Sequence, residues 1–225
     1  MEVKVKKITD EELLIKACST TIGKDSKMSL SKIYKCEHSP IRTQLFWVDL
    51  VEIPLFVASQ IVRSHVGVQC FQLSKRTDRG GDDFYKQCSD ISNQILKATQ
   101  NIEPNISLVE CDDIIDNFDT IRDEIMALPK HFDRYTPTNL SFIINAEALI
   151  NMSKKRLCSK ASAETREIMM TIKEKIKEVD PDLYNFLVPT CVYRGGICPE
   201  LKSCGFCKTE AFTKILNNYK LFFVQ

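Results

Sequence analysis

Four segments of the chain carry hydrophobic residues at helical spacing. "ITDEELLIKACSTTIG", residues 8–23, has a capping signal at Thr9 or Asp10 and ends at Gly23, so it predicts a short helix. "CDDIIDNFDTIRDEIMALP", residues 111–129, keeps this spacing up to its final proline. The two clearest helical patterns are "NLSFIINAEALINMSKKRLC", residues 139–158, and "SAETREIMMTIKEKIKEVD", residues 162–180.

Residues 43–66 predict a strand followed by a helix. "TQLFWVDLVEIP", residues 43–54, is rich in β-forming residues, is apolar on both faces and ends at a proline, which predicts a buried strand. "LFVASQIVRSHV", residues 55–66, predicts a helix that begins beside that proline. After Gly67 we expect a turn or an extended segment.

Length and charge narrow the class of protein. A chain of 225 residues with 44% hydrophobic content can bury one core, so we expect a single domain over residues 1–225. The polar region 84–111 is the candidate for a mobile insertion. With 31 basic and 30 acidic residues, the chain has no overall charge that would favour nucleic acid or a membrane. Without an apolar run for export or membrane insertion, a cytoplasmic location is expected.

Ten cysteines in such a chain are expected to be thiols or metal ligands rather than disulfides. The segment 188–208 is cysteine-rich, and Cys204 and Cys207 have a spacing typical of zinc sites. Cys158 could complete a zinc-binding set with Cys191, Cys198 and Cys204, which leaves Cys207 spare. Free thiols packed as small hydrophobic groups are the alternative.

The helical pattern of residues 139–158 places Asn145 and Arg156 on one face, because eleven residues make about three turns. Leu149 and Met152 lie near that face, so an apolar strip of about 16 Å would join the two polar groups. Such a strip suits a planar ligand with anionic or carbonyl ends. A solvated asparagine and a surface arginine are the other interpretation.

The segment "IVRSHVGVQCFQLSKR", residues 61–76, places basic and hydroxyl side chains in an apolar stretch. Ser74, Lys75 and Arg76 could donate hydrogen bonds to a phosphate. Arg63 and His65 could be charges at the rim of the core. No hydrolase triad, P-loop or dinucleotide-binding glycine motif is legible in the sequence.

These motifs, taken in order, resemble the flavin-dependent thymidylate synthases (ThyX), in a branch typical of phages or Firmicutes. The resemblance covers about residues 10–215 and rests on "EHSPI", "FVASQIVRSH", "SKR" eight residues later, "NAEALINMSKKRLCSKASAETR" and "CPELKSCG". It implies an α/β (α+β) fold of one domain, with a central, mostly antiparallel sheet and long flanking helices. It also implies a homotetramer whose active sites are built from several subunits.

The family's reaction is the reductive methylation of dUMP to dTMP. Methylenetetrahydrofolate supplies the carbon, NADPH reduces FAD, and the reduced flavin supplies the hydride. The resemblance therefore implies FAD, NADPH and the folate as cofactors, and the host cytoplasm as the location if a phage encodes the chain.

Site residues follow from the matched motifs. The FAD positions are His38, Ser39, Arg63, Ser64, His65, Asn145 and Asn151. The dUMP positions are Gln60, Ser74, Lys75, Arg76 and Arg156. Arg156 and Ser74 are the expected catalytic residues, with Arg156 as a fixed cation that stabilises negative charge on the pyrimidine.

The chain also departs from the family pattern. Ser64 and His65 stand where the family's Arg-His-Arg triplet has histidine and its second arginine, and Glu147 replaces an arginine of several relatives. Ile125 replaces an arginine that reaches the nucleotide phosphate, and the candidates to substitute for it are Arg122, Lys130 and Arg134. These changes leave three alternatives: a related enzyme that makes another 5-substituted pyrimidine such as 5-hydroxymethyl, a non-enzymatic zinc-binding module, or an inactive family member.

Overall fold

A computed structural model of the chain describes residues 1–73, 89–95, 97 and 134–224. The chain divides into two compact units, Met1–Gln72 with Thr138–Gln225, and Leu73–Pro137. Within the second unit, residues 89–95 are helical. The predicted helix 111–129 and most of the predicted insertion 84–111 lie outside the described residues, and the single domain stays a prediction.

The first unit is built on a four-stranded sheet. Its strands are β1 (Glu2–Lys7), β2 (Leu45–Pro54), β3 (Val68–Gln72) and β4 (Pro137–Asn145). They lie in the order β1-β2-β4-β3, and β1 with β2 and β3 with β4 are antiparallel. Strands β2 and β4 also run in opposite directions, because the Gln44 carbonyl bonds the Ala146 N–H while Asn139 accepts from Glu52 N–H at the other end. The predicted sheet and mixed fold are confirmed.

Helices cover this sheet and extend beyond it. They are α1 (Glu11–Ile22), α2 (Leu30–Cys36), α3 (Leu55–Val62), α4 (Ala146–Arg156), α5 (Ala163–Val179), α6 (Pro181–Tyr184), α7 (Thr190–Tyr193) and α8 (Glu210–Val224), with 3-10 turns at Ser39–Thr43 and Phe206–Lys208. Helix α1 has the predicted ends: Asp10 accepts from the Leu13 N–H, and Gly23 closes it in the left-handed conformation. In the described part of the chain, no helix is long and apolar enough to span a membrane.

The prediction of one helix over residues 139–158 is wrong in its first half. Strand β4 occupies this half up to Asn145, and α4 begins at Ala146. Leu140, Phe142 and Ile144 are fully buried at every second position, which is the period of a strand. Asn145 marks the change of structure, because its side chain caps α4.

The apolar strip predicted between Asn145 and Arg156 belongs to the core. Leu149 and Met152 are 0% and 3% exposed, and both pack in the main hydrophobic cluster with residues of the sheet and of α5. They cannot offer an open surface to a planar ligand. Helix α4 therefore buries its apolar face and leaves ligand contacts to the polar groups at its two ends.

Candidate functional site

Helix α4 brings together several of the predicted positions. At its start, Asn145 Oδ1 accepts from the Ala148 N–H at 2.8 Å, and the Asn145 N–H donates to the Gly67 carbonyl at 3.0 Å. At its end, the Arg156 guanidinium donates to Gln60 of α3. The segment from Gln60 to Gly67 therefore runs along α4 from its last residue back to its N-cap, which carries Arg63, Ser64 and His65 past the helix.

The close approach of Gly67 to Asn145 requires a glycine. Gly67 has a φ of +74°, and a Cβ built there would lie 2.9 Å from Asn145 Cγ. Gly23 has a similar φ of +68° with nothing within 4 Å of a built Cβ. We expect Gly23→Ala to cost about 1 kcal/mol through left-handed strain alone. Gly67→Ala should cost about 3 kcal/mol, because overpacking against the cap adds to the same strain.

Urea unfolding of the two variants separates these contributions. Equal losses in the free energy of unfolding for Gly67→Ala and Gly23→Ala would contradict the close packing of Gly67 on Asn145.

The polar cluster at the end of α4 is centred on Gln60. Its side-chain oxygen accepts from Arg156 Nη1 at 3.3 Å and from the Thr165 hydroxyl at 3.1 Å, and its main-chain carbonyl accepts from Arg156 Nη2. Thr165 in turn accepts from the Ser162 hydroxyl at 2.8 Å. Both Gln60 atoms that accept are held by fixed donors, so this side chain and Arg156 form one rigid unit.

Arg63 adds a second cation to this cluster. The pKa of Arg156 is lowered, first by partial burial and then by the charge of Arg63. Two guanidinium groups that repel each other favour an anion or a strong acceptor between them. In the part of the chain that the structure describes, the side chains of Arg63, Ser64 and His65 make no hydrogen bond, so their donors are available to a ligand.

The negative charge of Glu147 is paired. Arg42 Nε donates to Glu147 Oε2 at 2.6 Å, and Arg42 Nη2 donates to Oε1 at 3.1 Å. The pair is bidentate, and Arg42 is 59% exposed, so its remaining N–H groups face solvent. Arg42 therefore neutralises the charge of Glu147 without adding net positive charge there, a pairing that sequence spacing could not reveal.

His38 and Ser39 precede Arg42 at the 3-10 turn and line a mostly apolar cavity of about 310 Å³ with Cys18, Ile33 and other residues. Both polar side chains are exposed. Asn151 lies on the outer face of α4, where it accepts from Lys154 at 3.3 Å. Lys154 also binds Glu37 at 3.0 Å, so this part of α4 is tied to the end of α2.

Three of the predicted dUMP residues, Ser74, Lys75 and Arg76, lie outside the described residues, as do Arg122, Ile125 and Lys130. Arg134 is described, and its guanidinium lies 5.3 Å from the centre of the Tyr135 ring. The structure thus brings Gln60, Arg63 and Arg156 together. It adds Thr165, Ser162 and Arg42, which the motifs did not single out.

The predicted metal ligands share one cavity. Cys158, Cys191, Cys198 and Cys204 all line a cavity of about 270 Å³, and so does Cys207. Cys207 lies close enough to Cys191 to help raise the pKa of the Cys191 thiol. Among the described residues, no three cysteine, histidine or acidic side chains form a group that could hold a metal ion, and the cysteines there are free thiols. The zinc site stays a prediction.

The thiols of this cavity differ in acidity. The Phe206 N–H lowers the pKa of the exposed Cys204 thiol, whereas burial and then Cys207 raise the pKa of Cys191 to about 12. Because the thiolate is the nucleophile, iodoacetamide in neutral buffer should label Cys204 first and leave Cys191 unlabelled in the folded protein. Peptide mass mapping measures both, with the exposed Cys36 as the reference thiol. Labelling of Cys191 before Cys204 would contradict this order.

The fold and the site together define a class of protein. It is a mixed α/β protein in which helix α4 ends in a cationic cluster of hydrogen-bond donors. Such a cluster suits a ligand that carries phosphate or carbonyl groups. The family model described as thymidylate synthase complementing protein matches residues 5–182. The chain therefore belongs to this family, which confirms the resemblance to the flavin-dependent thymidylate synthases.

Curated relatives and solved structures agree with this assignment. The flavin-dependent thymidylate synthase of Saccharolobus solfataricus is 25% identical over 194 residues, which cover 83% of this chain and 68% of the relative. That of Sulfurisphaera tokodaii is 27% identical over 68% of this chain and 58% of its own length. That of Clostridium tetani is 35% identical, over 33% of this chain and 29% of its own length.

The fold also matches a crystal structure of thymidylate synthase X from Helicobacter pylori, determined with FAD and dUMP. The TM-score is 0.53 at 13% identity, over 84% of this chain and 99% of that one. At this identity the similarity concerns the fold.

Proposed function

We propose that this chain is a flavin-dependent thymidylate synthase that converts dUMP to dTMP, with methylenetetrahydrofolate as the carbon donor and NADPH as the reductant of FAD. The observation that carries the proposal is the cluster of Gln60, Arg63 and Arg156. It joins two guanidinium groups and an amide whose oxygen is already bonded, so it offers donors and positive charge to a ligand. A uracil nucleotide presents carbonyl oxygens and a phosphate, which are the complementary groups.

Different residues of the site suit the pyrimidine, the phosphates and FAD. Arg156 would lie at the pyrimidine and stabilise negative charge on the ring, while Arg63, Ser64 and His65 keep unused donors for the phosphates of a bound nucleotide or FAD. The side-chain oxygen of Asn145 already accepts a hydrogen bond at the helix cap, so its side-chain N–H groups are the part that can contact FAD. Ser74, Lys75 and Arg76 would hold the dUMP phosphate, with Ser74 as the second proposed catalytic residue.

The donor set also fits FAD. His38 and Ser39 are exposed polar groups at the edge of an apolar cavity, and Arg42 lies three residues further on with part of its guanidinium open to solvent. A flavin dinucleotide combines flat apolar rings with a diphosphate, and this combination needs both kinds of surface. When bound, FAD supplies the hydride, and the residues named here bind and orient the reactants.

The family resemblance carries the remaining parts of the proposal. They are a homotetramer with active sites at subunit interfaces, a cytoplasmic location, and a structural zinc ion at the cysteine cavity. Light scattering at several protein concentrations tests the tetramer. Metal analysis of protein purified without chelators tests the zinc.

An absorption spectrum of the protein with FAD, before and after titration with dUMP, tests the function. A retained flavin band that shifts with dUMP supports one pocket for both ligands. Turnover with NADPH and methylenetetrahydrofolate then identifies the product by mass. A 5-hydroxymethyl product would replace the proposed reaction with the related one. A protein that binds neither FAD nor dUMP would reject both.

A further inference from the structure

A chain of hydroxyl groups leads from the start of α5 to Gln60. The Ser162 hydroxyl accepts from the Thr165 N–H at 3.3 Å and donates to Thr165 Oγ1 at 2.8 Å. Thr165 Oγ1 then donates to Gln60 Oε1 at 3.1 Å. Thr165 is only 1% exposed, so water does not compete for its hydroxyl. Because Thr165 Oγ1 accepts the hydrogen bond from the Ser162 hydroxyl, its own O–H is directed at Gln60.

Two donors therefore fix which end of the Gln60 amide faces the cluster. A guanidinium can only donate, so the amide atom beside Arg156 Nη1 must be the oxygen. The Thr165 hydroxyl reinforces this choice from a second helix. The Gln60 amide nitrogen then points away from both, and none of the described residues provides an acceptor for it.

This polarity has a chemical consequence for the ligand. The amide nitrogen of Gln60 donates hydrogen bonds and cannot accept them. The guanidinium groups of Arg63 and Arg156 are also donors that cannot accept. A carbonyl oxygen on a pyrimidine satisfies such a donor, whereas an exocyclic amino group brings a second donor to it and leaves both unpaired. A site that presents hydrogen-bond donors discriminates strongly against a ligand that also presents a donor at that position, because both groups are then left unpaired.

We propose that Thr165, supported by Ser162, is a positioning residue that holds the Gln60 amide with its N–H groups towards the pyrimidine, and so selects uracil nucleotides over cytosine nucleotides. Thr165 acts through Gln60 and does not itself touch the substrate. The inference rests on the proposed function, since it names what that same site recognises.

The test compares dUMP and dCMP binding to the FAD-loaded protein, followed by the change in flavin absorbance. Thr165→Val keeps the shape of the side chain and removes its hydroxyl. We expect dUMP to bind about tenfold more weakly while dCMP binding is unchanged or slightly stronger, so the preference for dUMP falls about tenfold. Thr165→Ser restores the hydroxyl and should restore the preference.

Thr171→Val is the matched control. Thr171 lies on the same helix, and its hydroxyl donates to the Glu167 carbonyl at 3.0 Å, within its own helix. This variant should keep the wild-type preference. A purely structural Thr165 would lower the thermal midpoint and weaken dUMP and dCMP binding equally, and an unchanged preference in Thr165→Val overturns the proposal.

Ser162→Ala covers the case in which Thr165→Val does not fold. It frees the Thr165 hydroxyl to rotate, so the preference should fall by a smaller factor, and an unchanged preference again overturns the proposal. Failure of the proposed function gives a different result: wild-type protein that retains FAD but binds no dUMP refutes the substrate before any variant is compared.

Discussion

Arg156→Ala is expected to lower dTMP formation about 10²–10³-fold, the loss typical of removing one fixed donor from a charge-stabilising site. The variant should keep its fold, because Arg156 lies at the end of α4 and is only partly buried. The measurement is kcat and KM for dUMP under saturating FAD, folate and NADPH.

Two physical effects produce this loss. The substitution removes the cation that burial and Arg63 have made less stable in its charged form, and a cation held in this way gains most from an anionic partner. It also removes the donor to the Gln60 main-chain carbonyl and one of the two donors to the Gln60 side-chain oxygen, so Thr165 alone then orients the amide. The first effect should appear in kcat and the second in KM.

Two further variants sharpen the result. Arg156→Lys keeps the charge, but an ammonium cannot serve both Gln60 acceptors in one plane, so we expect intermediate activity. Arg166→Ala is the matched control, since the hydrogen bonds of the Arg166 side chain to described residues are long, at 3.5 Å to the carbonyls of Ser159 and Ala161. Activity of Arg156→Ala within tenfold of the wild type would refute the role of this arginine.

Local signals explain which elements the sequence predicts well. Helix α1 has its own cap at Asp10 and its own stop at Gly23, and β2 ends at Pro54, so their limits depend on neighbouring residues alone. The change from β4 to α4 at Asn145 is harder to see, because apolar residues continue across it. There the contacts of β4 with the neighbouring strands decide the conformation, and a helical period over residues 139–158 hides the two-residue period of Leu140, Phe142 and Ile144.

In the candidate site, too, some residues can be predicted from local sequence while others depend on contacts between distant segments. Motif order identifies Gln60, Arg63 and Arg156, but the contact of Thr165 with Gln60 joins residues 105 positions apart. The Arg42 and Glu147 pair is also separated by 105 positions. The Ser162 side chain caps α5, and the packing of α3 against α5 turns that cap into a support for Gln60.

The second large effect concerns stability. Asp180→Ala is expected to lower the free energy of unfolding by about 3–5 kcal/mol, because removing one partner of a buried ion pair leaves the other charge uncompensated. Asp180 is 1% exposed and lies between α5 and α6. Its carboxylate accepts from Lys7 at 2.8 Å, from the Tyr34 hydroxyl at 2.7 Å and from the Leu183 N–H at 3.0 Å. One side chain thus joins β1, α2 and α6.

Lys7 determines the size of this loss. Its side chain is 14% exposed, and its other acidic contact, Glu11, is more distant at 3.6 Å. Without Asp180 the ammonium keeps most of its burial and loses its main partner. The burial and the Asp180 charge also raise the pKa of Tyr34, so the tyrosine remains a neutral donor and cannot replace the lost charge.

Asp182→Asn is the matched control, because in the described part of the chain this neighbouring carboxylate makes no hydrogen bond or ion pair with Lys7, Tyr34 or Leu183. Burial first, and then the charges of Asp180 and Glu11, raise the pKa of Asp182. An acid with a raised pKa in the folded state loses stability as pH rises through and above its ordinary carboxyl value, so at neutral pH this substitution should be neutral or slightly stabilising. Urea unfolding at neutral pH measures both variants. Equal stability of Asp180→Ala and Asp182→Asn would mean that Lys7 finds water or another partner, and that the network around Asp180 does not hold the strand and helices together.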